Sequence, residues 1–156
     1  MKLNIGLTKK DLDKSVENLT VVLSNEMVLY VKLRKFHWNV AGNSFMELHK
    51  LFENQYHDIE KIIDETAERI GKLGSKAIGT MEDFLKHATI KESSKYEDQD
   101  HMIGELLSDH EKIISGLREM IASMEEESED FGTVDFLTAL ILDHESKAWV
   151  LRRYKA

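Results

Sequence analysis

The feature that most limits the fold is a long helical repeat that follows a short break in the chain. The break, residues 39–44, contains glycine and asparagine, which are typical of turns. Beyond it, apolar residues recur with a helical period to about Gly71 or Gly74, where a glycine can end a helix in the left-handed conformation. Ser44 opens an S-x-x-E sequence with the spacing of a capping box. We therefore predict a helix over 44–72.

Beside its apolar stripe, this helix carries a row of residue types that bind metals. On a helical wheel His49, Glu53, Asp64 and Glu68 lie within about 100° of one another. His37 stands on the other side of the break and supplies a second imidazole. Imidazole and carboxylate together suit iron, manganese or zinc. The pattern therefore indicates a metal site.

The length of the helix limits how such a site can be built. His49 and Asp64 are about 22 Å apart along the axis, at 1.5 Å per residue. Metal–ligand bonds are only about 2 Å long, so one helix cannot bring both residues to one ion. An antiparallel copy can, with His49 of one chain facing Asp64 and Glu68 of the other. If all of these are ligands, the sites are shared across a twofold axis, two per dimer.

The remaining periodicity predicts three more long helices and one short helix in a single domain, 1–156. Thr8 and Thr80 have the positions of N-caps. The fold class is all-α: a ferritin-like four-helix bundle with a short extra helix in the long crossover between the second and third long helices. The predicted helices are 8–38, 44–72, 81–87, 97–124 and 133–154.

Composition excludes several classes of function. The chain has no cysteine, which rules out disulfides and thiolate metal sites. The formal charge of −8 argues against a general nucleic-acid-binding surface and favours attraction of cations. The longest nearly apolar run, 136–142, is too short to span a bilayer, and the first ten residues lack the apolar run of a signal peptide. We expect a cytoplasmic protein.

The segment RKFHWNVAGNSFMELHKLFE, followed by DETAERIGKLG, closely resembles the Dps family of bacterial mini-ferritins. The resemblance covers essentially the whole chain, including the short helix and Trp149. It implies a homo-oligomeric shell of twelve subunits, built from twofold dimers. In this family a ferroxidase centre oxidises Fe²⁺, commonly with hydrogen peroxide and otherwise with oxygen, and ferric mineral collects inside. Other divalent metals can substitute for iron. Many members also bind DNA, in association with the nucleoid.

The resemblance also assigns the site residues. It makes His37 and His49 ligands from one subunit, and Asp64 and Glu68 ligands from the twofold mate. Glu53 falls where the family has an acidic residue, either a metal ligand or a partner of the ligands. The sequence contains no Glu-x-x-His, the motif with which ordinary ferritins build a site inside one bundle.

The same resemblance implies roles for three further residues. Trp38 matches an aromatic residue beside the centre, where it packs and can donate electrons. The family lines a threefold pore with acids, for which Asp130 and Asp135 are the candidates. Otherwise these two acids are loop and helix-start charges.

The other histidines have weaker patterns. His57 falls near the twofold axis of the predicted dimer, where a structural hydrogen bond is expected rather than a metal. No matching cluster is evident for the remaining ones, which we expect to be ordinary surface or core residues: His87, His101, His110 and His144.

We therefore predict an iron-storing ferroxidase. The alternative is a stress protein that binds and compacts DNA, in which iron oxidation is secondary. A third possibility is a helical scaffold with inert histidines. Direct DNA binding is expected to be weak, because phosphate contacts dominate such affinity and the chain is acidic overall. The basic residues near the two ends are few: Lys2, Lys9, Lys10, Arg152, Arg153 and Lys155.

Overall fold

The computed structural model describes residues 3–96 and 98–155, and within them it contains five helices and no strand. This arrangement confirms the predicted all-α class, with four long helices and one short one. Lys2 and the predicted helix start at 97 lie outside the described residues. The helices are α1 (Lys9–Asn39), α2 (Phe45–Lys72), α3 (Met81–His87), α4 (Gln99–Glu127) and α5 (Phe131–Tyr154).

The bundle consists of two helical hairpins. Residues 40–44 join α1 to α2, and residues 128–130 join α4 to α5. Connections this short make the joined helices antiparallel neighbours. The long crossover, residues 73–98, contains α3, which packs against α1. Helix α1 also packs against α4, so it links the two hairpins.

The apolar faces of the helices meet in one continuous core. Phe36 of α1 and Phe52 of α2 are fully buried, and their ring centroids are 6.2 Å apart. Burying a side chain of this size stabilises the fold by about 1.5–3 kcal/mol. Among the described residues, no helix is long and apolar enough to cross a membrane.

The N-caps of α1 and α3 form as predicted, but that of α2 does not. The Thr8 and Thr80 hydroxyls accept hydrogen bonds from the backbone N–H groups of Asp11 and Asp83. Ser44 does precede α2, but its side chain makes no capping hydrogen bond. Its φ of −103° and ψ of 26° differ from the extended conformation that aims an N-cap oxygen at the first turn. The predicted capping box at Ser44 is therefore wrong.

The end of α2 confirms the prediction for Gly74. This residue has a φ of +81°, which favours glycine. Its N–H donates to the Gly71 carbonyl at 2.9 Å, and the Ser75 N–H donates to the Ile70 carbonyl at 3.2 Å. These two bonds form a Schellman motif, which satisfies carbonyl groups that the helix leaves without partners.

The predicted boundary between the last two helices is wrong by a few residues. We expected the helix to end at 124, but α4 continues to Glu127. Glutamate is a strong helix former, and Met124 is fully buried and holds the last turns against the core. Helix α5 begins at Phe131 instead of 133, because Asp130 is its N-cap and accepts from the Thr133 N–H at 3.0 Å.

Candidate metal centre

Two histidines meet where α1 ends and α2 begins. The turn at 40–44 brings His37, in the last turn of α1, against His49 in α2. The His37 Nδ1–H donates to the His49 carbonyl, and the His49 Nδ1–H donates to the His37 carbonyl, both at 2.8 Å. The rings stack, with centroids 3.8 Å apart and planes 20° from parallel. The two side chains therefore hold each other in a fixed orientation.

These hydrogen bonds decide which ring nitrogens can bind a metal. A carbonyl oxygen only accepts, so Nδ1 must carry the proton on both rings. In the neutral imidazole Nε2 is then left with a lone pair. A backbone carbonyl on the far nitrogen is also the usual support for a metal-binding histidine. His37 and His49 therefore present two Nε2 ligand atoms, and both side chains are only half-buried.

Glu53 lies four residues after His49 on α2 and is also half-buried. Its carboxylate accepts a hydrogen bond from Lys50 Nζ at 2.6 Å. This hydrogen bond lowers the pKa of Glu53, and the nearby charges of Lys50, His37 and His57 lower it further against the effect of burial. The carboxylate is therefore ionised at neutral pH and can attract a cation to the histidine pair.

Asp64 and Glu68 lie on the exposed surface of the same helix, far from the histidines along its axis. Glu68 makes an ion pair with Lys72 at 3.2 Å, and such exposed pairs are easily exchanged for other partners. Within residues 3–96 and 98–155, no group of three or more acidic, histidine or cysteine side chains lies close enough to hold one ion. A single chain therefore presents the histidines and the two carboxylates as separate halves.

Trp38 extends into solvent beside the histidine pair, with 65% of its surface exposed. The Arg34 guanidinium lies 5.4 Å from its ring centroid and 4.5 Å from that of Tyr56. Tyr56 in turn meets His37 edge to face at 5.4 Å. Two aromatic rings therefore border the histidine pair: Tyr56 beside His37, and Phe45 beside His49 at 5.1 Å.

The two pore candidates have different environments. Asp130 is buried, and its carboxylate accepts from Ser15 at 2.7 Å, Thr133 at 2.5 Å and Arg69 at 3.1 Å. Burial alone raises the pKa of Asp130, but the hydrogen bonds from Thr133 and Ser15 and the charge of Arg69 lower it overall. This favours a structural role for Asp130. Asp135 is exposed, and it remains the candidate for a pore.

Three of the other histidines lie at or near the surface. His57 is exposed, and its Nδ1 lies 3.6 Å from Oε2 of Glu60. The hydrogen bond expected for His57 near a twofold axis depends on a second chain and stays a prediction. His87 is half-buried and donates from Nδ1 to the Asp83 carbonyl, and His101 is exposed.

His110 and His144 are core residues, which agrees with the expectation, but the sequence did not indicate the buried contacts that they make. They are fully buried and hydrogen-bonded to each other, and His144 also contacts Glu26. The available signal was their position: both histidines lie on the apolar stripes of α4 and α5. Glu26 occupies the corresponding inner face of α1.

The chain is similar in sequence to a known protein family and to individual bacterial proteins. A family model described as a ferritin-like domain matches residues 16–155. An uncharacterized low temperature-induced protein of Nostoc sp. is 40% identical over 154 residues, which cover 98% of this chain and 86% of that protein. The DNA protection during starvation protein of Brevibacillus brevis is 34% identical over 145 residues, covering 90% of this chain and 97% of that protein.

A solved structure agrees with these relatives. The Dps protein from Vibrio cholerae O1 is described as a member of a broad superfamily of ferritin-like diiron-carboxylate proteins. It matches with a TM-score of 0.92 and 30% identity, covering 100% of this chain and 98% of that one. The predicted ferritin-like bundle, with its helix in the crossover, is therefore confirmed.

Proposed function

Because the chain belongs to the ferritin-like family, and within it to the Dps proteins, we propose that it oxidises Fe²⁺ and stores the ferric product. The oxidant is hydrogen peroxide, the centres are shared between two subunits, and the mineral collects in a hollow shell of twelve copies. Iron is the substrate and cargo of this reaction.

The observation that carries the proposal is the reciprocal hydrogen bonding of His37 and His49. Each Nδ1–H is bound to the other residue's carbonyl at 2.8 Å, which leaves each Nε2 as a ligand atom. In a scaffold with inert histidines, nothing would require both partly exposed rings to stack and to carry their proton on Nδ1. This pairing supports a metal-binding role over the scaffold alternative.

The second half of the centre comes from the partner in this proposal. Asp64 and Glu68 are exposed on α2, one turn apart. When two α2 helices pack antiparallel, the carboxylates of one chain can reach the histidine pair of the other. Two imidazoles and two carboxylates form a donor set that suits Fe²⁺. Glu53 adds negative charge from the histidine side.

The stoichiometry of the reaction follows from the number of electrons that iron gives and peroxide accepts. Peroxide accepts two electrons and each Fe²⁺ gives one, so 2 Fe²⁺ + H₂O₂ + 2 H⁺ yields 2 Fe³⁺ + 2 H₂O. The ligands hold the Fe²⁺ ion, and the interface between the two subunits keeps the reacting peroxide away from bulk solvent.

When the centre holds only one Fe²⁺, peroxide needs a second electron from another donor. Trp38, one residue from His37, is a nearby aromatic donor that can supply it.

Iron entry is assigned to acids that face a pore around a threefold axis. Asp135 is exposed in the first turns of α5. Three copies of its carboxylate in one ring repel one another, and a passing divalent cation relieves that repulsion. The field of the ring also draws Fe²⁺ from solution. Asp130 contributes by fixing the start of α5 rather than by lining the pore.

Stopped-flow measurement of Fe²⁺ oxidation tests the proposed function. The wild type should oxidise Fe²⁺ faster with hydrogen peroxide than with oxygen. His37→Ala/His49→Ala should lose most of the fast phase with both oxidants. The matched control is His87→Ala/His101→Ala, which removes two histidines outside the site and should retain the wild-type rate. Equal rates in all three proteins would contradict the proposal.

DNA compaction is the second candidate, and the name of the Brevibacillus brevis relative is what favours it. The formal charge of −8 opposes it, because nonspecific DNA binding depends on cationic contacts with phosphates. A gel shift at physiological salt separates this role from iron oxidation.

A further inference from the structure

A second group of polar residues is sealed inside the bundle, apart from the proposed iron centre. Glu26 of α1, His110 of α4 and His144 of α5 are all fully buried. The His144 Nε2 lies 2.8 Å from Glu26 Oε1, and the Nδ1 atoms of His144 and His110 are 2.8 Å apart. These three residues form a row, Glu26–His144–His110, that joins three of the four long helices.

The row needs a definite number of protons. An ionised Glu26 only accepts, so His144 Nε2 carries a proton and donates it. Two ring nitrogens bond only if one of them carries a proton, so a second proton lies between His144 and His110. If that proton belongs to His110, the row has a net charge of −1. If it belongs to His144, His110 carries its own proton on Nε2 and the row is neutral.

The surroundings favour the neutral row. A charge in a dry interior is costly unless it is paired. Lys147 of α5, whose charge acts on His110, already pairs with Asp143 at 2.6 Å and with Asp58 of α2 at 3.6 Å. The negative charge of Glu26 must therefore be balanced within the row, through its hydrogen bond with His144.

Further charged groups on α1 and α4 are also paired with each other. Lys32 of α1 pairs with Asp109 at 2.5 Å and Glu105 at 2.8 Å, both on α4. Helix α2 presents the uncharged, buried Gln55 on its inner side. Within the described residues, none of these carboxylates is hydrogen-bonded to His110 or His144, so none accepts a hydrogen bond from a further N–H of the row.

The ends of the row also lack partners. In the described part of the chain, neither Oε2 of Glu26 nor Nε2 of His110 has a hydrogen-bond partner. One proton more than the neutral row holds would give it a net positive charge and would place an N–H donor on each of the two facing Nδ1 atoms. This cost falls on the contact between α1 and the α4–α5 hairpin.

We propose that Glu26, His144 and His110 form a buried proton-binding site that sets the stability of the bundle in acid. The neutral row holds α1 against the α4–α5 hairpin, and one further proton, on His110, weakens that contact. Burial lowers the pKa of His110 well below its usual value of 6.5, and the charges of His144 and Lys147 lower it further. The inference is independent of the proposed iron chemistry.

The direction of the pH effect follows from this. Once the pH falls below about 6.5, the His110 imidazole takes up a proton in the unfolded chain but not in the folded one. Stability is therefore present above that pH and is lost progressively as the pH falls towards the lowered folded pKa. For one proton, the unfolding constant rises about fivefold between pH 6.5 and 5.5, and the slope approaches about tenfold per pH unit below that.

The test is thermal and urea unfolding of the assembled protein at fixed concentration, from pH 7.5 to 5. His110→Gln keeps a polar side chain but cannot titrate, so its unfolding constant should rise about fivefold less than that of the wild type between pH 6.5 and 5.5. The matched control is His101→Gln on the same helix, whose side chain is exposed and which should follow the wild type. A wild-type pH slope in His110→Gln would overturn the proposal.

A measurement on the wild type covers the case in which His110→Gln does not assemble. Amide hydrogen exchange near positions 110 and 144, corrected for the intrinsic pH effect, should accelerate from pH 6.5 to 5.5 relative to amides of α2. Equal protection at the two pH values would refute a proton site that controls this contact.

Discussion

Asp130→Ala should destabilise the protein strongly, although the residue lies in a short connection. Asp130 caps α5 through the Thr133 N–H and also accepts from Ser15 of α1 and Arg69 of α2. Losing an N-cap costs about 1 kcal/mol. Removing one partner of a buried ion pair costs about 3–5 kcal/mol of folding stability. Because Arg69 is partly exposed, we expect this contribution to be at most about 3 kcal/mol. We expect a total of about 3 kcal/mol.

Differential scanning calorimetry at one protein concentration measures this effect. For a chain of this length, about 3 kcal/mol corresponds to a Tm lower by about 6–12 °C. Asp135→Asn, on the exposed side of α5, is the matched control and should stay within about 2 °C of the wild type. An equally small change for Asp130→Ala would refute the structural role of Asp130.

The pH dependence of an Asn variant gives a second check on the same residue. Asp130→Asn keeps a good N-cap but loses the charge, so it should be less damaging than alanine. Because the pKa of Asp130 is lowered in the folded protein, the wild-type advantage is present above about pH 4 and is lost as the pH falls through the folded value.

Two further predictions concern iron entry and DNA binding. Asp135→Asn should slow Fe²⁺ uptake at low salt and reduce the salt sensitivity of the rate, because the Debye length falls from about 10 Å at 0.1 M to about 3 Å at 1 M; an unchanged low-salt rate would mean that iron enters elsewhere. Duplex DNA should bind weakly at about 150 mM salt in a gel shift without added metal, and tight binding there would restore the DNA-compacting alternative.

The helices could be predicted from the sequence because their signals are local. Apolar periodicity and the caps at Thr8 and Thr80 depend on residues within a few positions of each other. Gly74 likewise marks the end of α2 through its own backbone conformation. Ser44 shows the limit: the S-x-x-E pattern is present, but the preceding turn gives the backbone a conformation from which the hydroxyl does not cap.

The histidine pair was predictable as a pair, but its tautomers were not. Sequence places His37 and His49 on either side of a turn, whereas the reciprocal carbonyl bonds depend on how α1 and α2 pack. Asp64 and Glu68 were separated from the histidines by helix length alone. Their meeting across two chains stays a prediction, since it depends on the assembly.

The buried row was missed because its members are far apart in the chain. Glu26 and His144 are separated by 118 positions, and no local pattern joins them. His110 and His144 each looked like a lone histidine on an apolar helix face. Polar residues on the inner stripes of several helices are the signal that would have suggested a cluster.

Subunit complementation tests the shared centre most directly. A His37→Ala/His49→Ala chain is mixed with an Asp64→Ala/Glu68→Ala chain under conditions that exchange subunits, and hybrid formation is verified by mass spectrometry. Each hybrid dimer then has one intact centre and one centre that lacks both halves. We predict that Fe²⁺ oxidation, lost in each parent, partly returns in the mixture. Verified hybrids that remain as inactive as the parents would contradict a centre built from two chains.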